Sequence, residues 1–143
     1  MIIKNFKFLL VTMIFIFATS CEDEHFSAIP DLSFRRTFLL DEKEFFGFDI
    51  GTSIALDNRA GGYAGLILYY FAENEIRAFD RCCPIHVTEK EHLLIDGALA
   101  MCPKDSAYFS LLDTPPIEIG SKTPSIMCTY LCYKSGNTIS VYN

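Results

Sequence analysis

Short apolar runs separated by turn-forming residues predict an all-β chain. Residues 66–71 form an apolar, β-rich run that breaks at residues 72–74 and resumes over residues 76–79, which is the pattern of a hairpin. A second hairpin is predicted at the end of the sequence, with residues 126–133 and 138–142 as its strands.

A third tight turn is predicted at Asp96-Gly97, between the apolar residues 93–95 and 99–101. Strands this short, punctuated by Gly, Pro and Asn, favour a small antiparallel barrel or sandwich. Three glycines between positions 61 and 65 precede a strand and not a helix. They therefore predict a close backbone approach or a bend, and not a nucleotide-binding loop.

The first twenty residues have the pattern of a lipoprotein signal peptide. Lys4 and Lys7 precede an uncharged apolar run over residues 8–18, which is too short for a hydrocarbon core that needs about 20 helical residues. Small residues then lead to Cys21, as in a bacterial lipobox, whose cysteine is acylated and becomes the new N-terminus. The alternatives are an ordinary signal peptide and an uncleaved anchor.

These patterns predict a signal peptide at 1–20, a lipid-anchored tether at 21–33 and a single domain at 34–143. The net charge of −6 does not favour a positively charged surface that would bind phosphates, so nucleic acid is not expected as a partner. The 143 residues leave no room for a two-domain enzyme with a separate cofactor fold. We expect the protein to be exported and anchored by its lipid in the outer membrane of a bacterial envelope. We also expect a protein partner in the envelope, although no motif identifies it.

Five cysteines follow Cys21, and an odd number leaves at least one of them outside a disulfide. Cys128 and Cys132 would lie about 13 Å apart along one strand, whereas a disulfide tolerates about 7 Å between Cα atoms. Cys82 and Cys83 are adjacent and would face opposite sides of an extended segment, which predicts different partners for them.

Two Cys-Pro motifs, Cys83-Pro84-Ile85-His86 and Cys102-Pro103-Lys104-Asp105, each follow a predicted strand. Together with the preceding Ala78-Phe79-Asp80 and the final residues 139–143, they resemble a Rieske domain. More narrowly, the chain is similar to the small Rieske-like lipoproteins of Bacteroidetes-type bacteria. The resemblance covers about residues 35–143 and implies an all-β Rieske-like fold with both Cys-Pro loops at one end.

In Rieske proteins the two loops hold a [2Fe–2S] cluster, with two cysteines on one iron and two histidines on the other. Cys83 and Cys102 match the two cysteines, whereas Ile85 and Asp105 occupy the histidine positions. The resemblance therefore implies a degenerate domain that has lost both ligand histidines. We expect this domain to have a structural or interaction role. If it is redox-active, we expect it to carry electrons and not to catalyse a reaction.

Four interpretations of the two loops stay open. Cys83, Cys102, His86 and Asp105 could bind a [2Fe–2S] cluster as an atypical ligand set, or they could bind Zn²⁺ in a tetrahedral shell. Alternatively, Cys83 and Cys102 pair in a disulfide in the oxidising export compartment, the outcome that we favour narrowly from sequence. A nucleophile–base pair of Cys83 and His86 is the weakest interpretation, since no orienting group is apparent.

Overall fold

The structure, a computed structural model, describes residues 27–143. The predicted signal peptide and the predicted lipid attachment at Cys21 lie outside the described residues. Within residues 27–143 the regular elements are nine β-strands and three short 3₁₀ turns, so the all-β prediction is confirmed. No helix in this part of the chain has the length and apolar character needed to cross a bilayer.

The strands are β1 (Arg35–Leu39), β2 (Ser53–Leu56), β3 (Leu66–Ala72), β4 (Glu75–Asp80), β5 (Leu94–Asp96), β6 (Leu99–Met101), β7 (Tyr108–Ser110), β8 (Thr129–Ser135) and β9 (Thr138–Tyr142). The 3₁₀ turns are Lys43–Phe45, Asn58–Ala60 and Val87–Glu89.

The strands form two antiparallel sheets. The larger has the order β1-β9-β8-β4-β3-β2, and the smaller has the order β5-β6-β7. The predicted hairpins are present as β3–β4, β8–β9 and β5–β6. Strand β8 begins at Thr129, three residues later than predicted, because Ile126 instead forms an isolated bridge with Ile117.

Both faces of β3 are buried, and each contributes to a different core. Leu66 and Leu68 belong to the first core, whereas Ile67 and Tyr69 belong to the second. Successive side chains of a strand point to opposite faces, so burial on both sides produces the unbroken apolar run seen in the sequence.

The second core carries the two Cys-Pro loops. It contains Cys83 and Cys102 together with Phe109 of the small sheet and Phe79 of the large sheet, all fully buried. The loops therefore start from a rigid, close-packed base at the junction of the two sheets.

Residues of the predicted tether contact the domain. Ile29 is buried against Ala64 and Cys82. The side-chain amide of Asn143 donates a hydrogen bond to the carbonyl of Leu32 at 3.1 Å. Residues 29–32 thus lie along the domain surface close to the start of the first loop.

Candidate metal centre

Each Cys-Pro motif is folded into a hydrogen-bonded turn at the end of a strand. In the first loop, which follows β4, the His86 amide donates to the Cys83 carbonyl at 3.2 Å. In the second loop, which follows β6, the Ser106 amide donates to the Cys102 carbonyl at 2.9 Å, and the Cys102 amide donates to Ala107 at 2.8 Å. These turns hold each cysteine at the base of its loop and direct the following residues toward the other loop.

The two loops meet through their polar side chains. The His86 Nε2 and Asp105 Oδ2 atoms are 3.0 Å apart. These two groups and the Cys102 Sγ atom all lie within 4.8 Å of one another. The Cys102 thiol is fully buried, whereas the side chains of His86 and Asp105 are 21% and 34% exposed. This His/Cys/Asp group could hold a metal ion.

Cys83 stands beside this group and not within it. Both cysteines are fully buried in the second core, and the Cys83 thiol is near enough to raise the pKa of the Cys102 thiol. Ile85, at the position that matches the first Rieske histidine, is 37% exposed and contributes no ligand atom. Of the four predicted ligands, the structure therefore brings three together and places the fourth next to the buried thiol.

The surroundings shift the pKa values of Asp105 and Cys102 in opposite directions. A hydrogen bond from the Ala107 amide lowers the pKa of Asp105, and His86 lowers it further. Burial raises the pKa of Cys102 to about 12, and the neighbouring Cys83 thiol adds to this increase. The site thus presents an ionised carboxylate and a protonated thiol, and a bound metal ion would have to displace the thiol proton.

A buried carboxylate fixes the start of the first loop. Asp80, at the end of β4, is fully buried and accepts hydrogen bonds from the Tyr63 amide at 2.5 Å, the Cys82 amide at 2.8 Å and the Tyr130 hydroxyl at 2.7 Å. A longer bond of 3.3 Å comes from the Ala64 amide. A buried carboxylate with this many donors is satisfied, so it joins three segments of chain just before the cysteines.

Sequence inspection missed the role of Asp80, although a signal was present. Ile76, Ala78 and Asp80 alternate along β4, and the first two are buried in the first core. An acidic residue at the next position on the same face is therefore expected to be buried with partners.

The glycines before β3 allow the chain to approach Asp80. Gly62 has φ +73°, and a Cβ atom there would lie 2.7 Å from the Asp80 Oδ2 atom. At Gly65 a Cβ atom would lie 2.3 Å from the Leu56 carbonyl oxygen. The predicted close backbone approach is therefore confirmed.

The adjacent cysteines face different surroundings, as predicted. Cys82 packs with Ile29 and Ala64, whereas Cys83 lies in the second core. The five cysteines within residues 27–143 carry free thiols in the structure. A Cys83–Cys102 disulfide therefore stays a prediction.

Cys128 and Cys132, just before and within β8, are not part of the Cys-Pro loops. Their burial predicts that the protein loses stability in alkali. Burial raises the pKa of Cys128 to about 11 and that of Cys132 to about 12, whereas an unfolded thiol has a pKa of about 8.5. Their contribution to the free energy of unfolding is complete below about pH 8.5, where the thiols are protonated in both the folded and the unfolded state. Above that pH only the unfolded state loses these protons, so the contribution declines.

We therefore expect the free energy of unfolding of the reduced, metal-free protein to fall above about pH 8.5, by roughly 1 kcal/mol per pH unit for each thiol. Urea denaturation between pH 7 and 10 measures this fall. Cys132→Val should make the decline shallower, and the same slope in wild type and variant would argue against this assignment.

Comparison with known proteins identifies no family. No protein-family model, curated protein or solved structure matches the chain. The resemblance to Rieske domains therefore rests on the sequence alone, that is, on the two Cys-Pro motifs with residues 78–80 and 139–143.

Proposed function

We propose that this protein is a degenerate Rieske-like envelope lipoprotein whose two Cys-Pro loops bind one divalent metal ion of the zinc type. His86, Cys102 and Asp105 supply three ligands, and Cys83 supplies the fourth. The observation that carries the proposal is the convergence of an imidazole, a thiol and a carboxylate within 4.8 Å.

The donor types support zinc over the other common divalent ions. Thiolate, imidazole and carboxylate are the ligands that Zn²⁺ accepts in tetrahedral sites. Calcium and magnesium prefer an all-oxygen shell, which a buried thiol does not provide. Two nitrogen or oxygen ligands at about 2.1 Å from one tetrahedral ion lie roughly 3.4 Å apart. The separation of 3.0 Å between His86 Nε2 and Asp105 Oδ2 is close to that value.

The same distances argue against a [2Fe–2S] cluster. In a Rieske centre Cys102 would bind one iron, and the ligands at the histidine positions would bind the other. The iron–sulfide core would then separate Cys102 from His86 and Asp105, yet their ligand atoms lie within 4.8 Å of one another. The residues present fit a single ion better than a two-iron core.

A site of this kind has a structural role. With Cys83 as the fourth ligand the tetrahedral shell would be complete and would leave no open position for water or substrate, which is typical of structural and not catalytic zinc. The first loop continues from β4 of the large sheet, and the second joins β6 to β7 of the small sheet. One ion would therefore tie the two sheets together and stabilise the surface that the domain presents to an envelope partner.

A disulfide is the second candidate, because Cys83 and Cys102 are buried in the same core cluster at the bases of the two loops. Its formation needs a thiol–disulfide oxidant that accepts two electrons and two protons from the thiols. Metal binding and the disulfide exclude each other, since both consume the Cys102 sulfur. Either outcome leaves the loops joined without a redox cluster.

Titration of the reduced, metal-free protein with Co²⁺, a coloured substitute for zinc, tests the proposal. We expect one equivalent to produce a thiolate-to-metal absorption band and the visible bands of tetrahedral Co²⁺, and Zn²⁺ to abolish both. A protein that stays colourless with Co²⁺, or that takes up the ion with no thiolate band, would contradict it.

The membrane attachment is proposed from the Cys21 motif and has its own test. Cys21→Ser should release the protein from the membrane fraction of the producing bacterium, because each buried CH₂ of an acyl chain contributes about 0.8 kcal/mol to anchoring. Immunoblots of membrane and soluble fractions measure this shift. An unchanged distribution would argue against lipid attachment at Cys21.

A further inference from the structure

A second potential site is a cavity of about 590 Å³. Its apolar floor includes Phe38, Ile54 and Leu56, which also pack in or against the first core. It shares no residue with the His/Cys/Asp group. Its volume is within the range of about 300–1,000 Å³ that is typical of small-molecule sites.

Charged residues of both signs surround this floor. Glu42, Glu44 and Asp57 contribute carboxylates, and Arg59 and Arg81 contribute guanidinium groups. None of the ion pairs formed within residues 27–143 involves these five side chains. The Asp57 carboxylate accepts a hydrogen bond from the Arg59 backbone amide at 2.9 Å. Unpaired acids and bases around one apolar floor are suited to a ligand that carries both charges.

Arg81 provides the strongest indication of a ligand. Its Nε atom is buried and has no hydrogen-bond partner among the described residues. A buried donor without a partner costs free energy, and an acceptor that reached it from the cavity would remove this cost. The planar guanidinium group is matched to a carboxylate, which accepts two parallel hydrogen bonds.

We propose that this cavity binds a short zwitterionic peptide with an apolar side chain. The carboxylate of the peptide binds Arg81, with Arg59 nearby, and its ammonium group lies between Glu42 and Glu44. The apolar side chain covers Phe38 and the rest of the floor. This site shares no residue with the metal centre.

Isothermal titration calorimetry with the dipeptide leucyl-leucine tests the proposal. N-acetyl-leucyl-leucine lacks the ammonium group, leucyl-leucinamide lacks the carboxylate, and glycyl-glycine lacks the apolar side chains. We expect each change to weaken binding about tenfold or more, because each removes one class of contact. No binding of leucyl-leucine, or equal binding of the four peptides, would overturn the proposal.

Substitution of the arginine locates the contact within the molecule. Arg81→Gln should weaken leucyl-leucine binding about tenfold or more and leave leucyl-leucinamide binding unchanged, since the amide has no carboxylate to lose. Arg35→Gln is the matched control, because Arg35 lies over the Tyr142 ring and does not line the cavity. Equal effects of the two substitutions would contradict the site. If Arg81→Gln does not fold, the peptide series on the wild-type protein still decides.

Discussion

Asp80→Asn is expected to destabilise the domain by about 3 kcal/mol or more, which is the largest stability effect that we predict for one polar substitution. The two closest donors to Asp80 Oδ2 are the Tyr63 amide and the Tyr130 hydroxyl, and the Cys82 amide donates to Oδ1. An asparagine would direct its NH₂ group at one of these sets of donors. It would therefore leave at least one buried backbone donor without an acceptor, whichever way the amide is turned.

Urea denaturation at neutral pH measures this effect, and two variants calibrate it. Tyr130→Phe removes a single donor and leaves the backbone donors satisfied, so it should cost only about 1 kcal/mol. Asp113→Asn changes an exposed aspartate outside the cores and should stay within about 0.5 kcal/mol of wild type. A similarly small change for Asp80→Asn would show that the carboxylate does not hold the three segments together.

Cys102→Ser is expected to weaken Zn²⁺ binding more than a hundredfold. Loss of a residue that only supports a ligand typically costs about 10–100-fold in metal affinity, and loss of a direct thiolate ligand should cost more. Serine keeps the size of the side chain but does not ionise readily, so it cannot replace the thiolate. Competition with a chromophoric chelator measures the affinity of each variant.

Cys132→Ser is the matched control for this experiment, because Cys132 packs against the first core and lies outside the loops. It should leave the Zn²⁺ affinity unchanged, whatever it does to stability. Asp105→Asn should weaken binding less than Cys102→Ser, since an amide oxygen is a neutral and weaker donor than a carboxylate. Equal affinities of wild type and Cys102→Ser would exclude Cys102 as a ligand.

The central strands could be predicted from the sequence because their apolar runs and turn-forming residues depend only on neighbouring positions in the chain. The apolar residues of β3 and the turn after it define a hairpin whatever else the chain does. Strands β1 and β2, by contrast, were not predicted. They form the edges of the large sheet, and β1 is mostly exposed on both faces, so it shows no alternation of apolar and polar positions.

The loops of the candidate site could be located from the sequence, but the contacts between them could not. The Cys-Pro motifs mark the loops directly, whereas the 3.0 Å approach of His86 to Asp105 depends on how the two sheets pack. Asp80 bonds to Tyr130, which is 50 positions away, and no short motif encodes that pairing. Arg81 is likewise one of several scattered arginines until the fold places it in the wall of the cavity.

Elemental analysis of the intact protein, purified without oxygen and combined with a count of free thiols, tests the metal proposal most directly. We expect about one zinc per chain and neither iron nor acid-labile sulfide, with Cys102 protected from alkylation until a chelator removes the metal. Two irons and two sulfides per chain, or a metal-free protein that carries a Cys83–Cys102 disulfide, would contradict it.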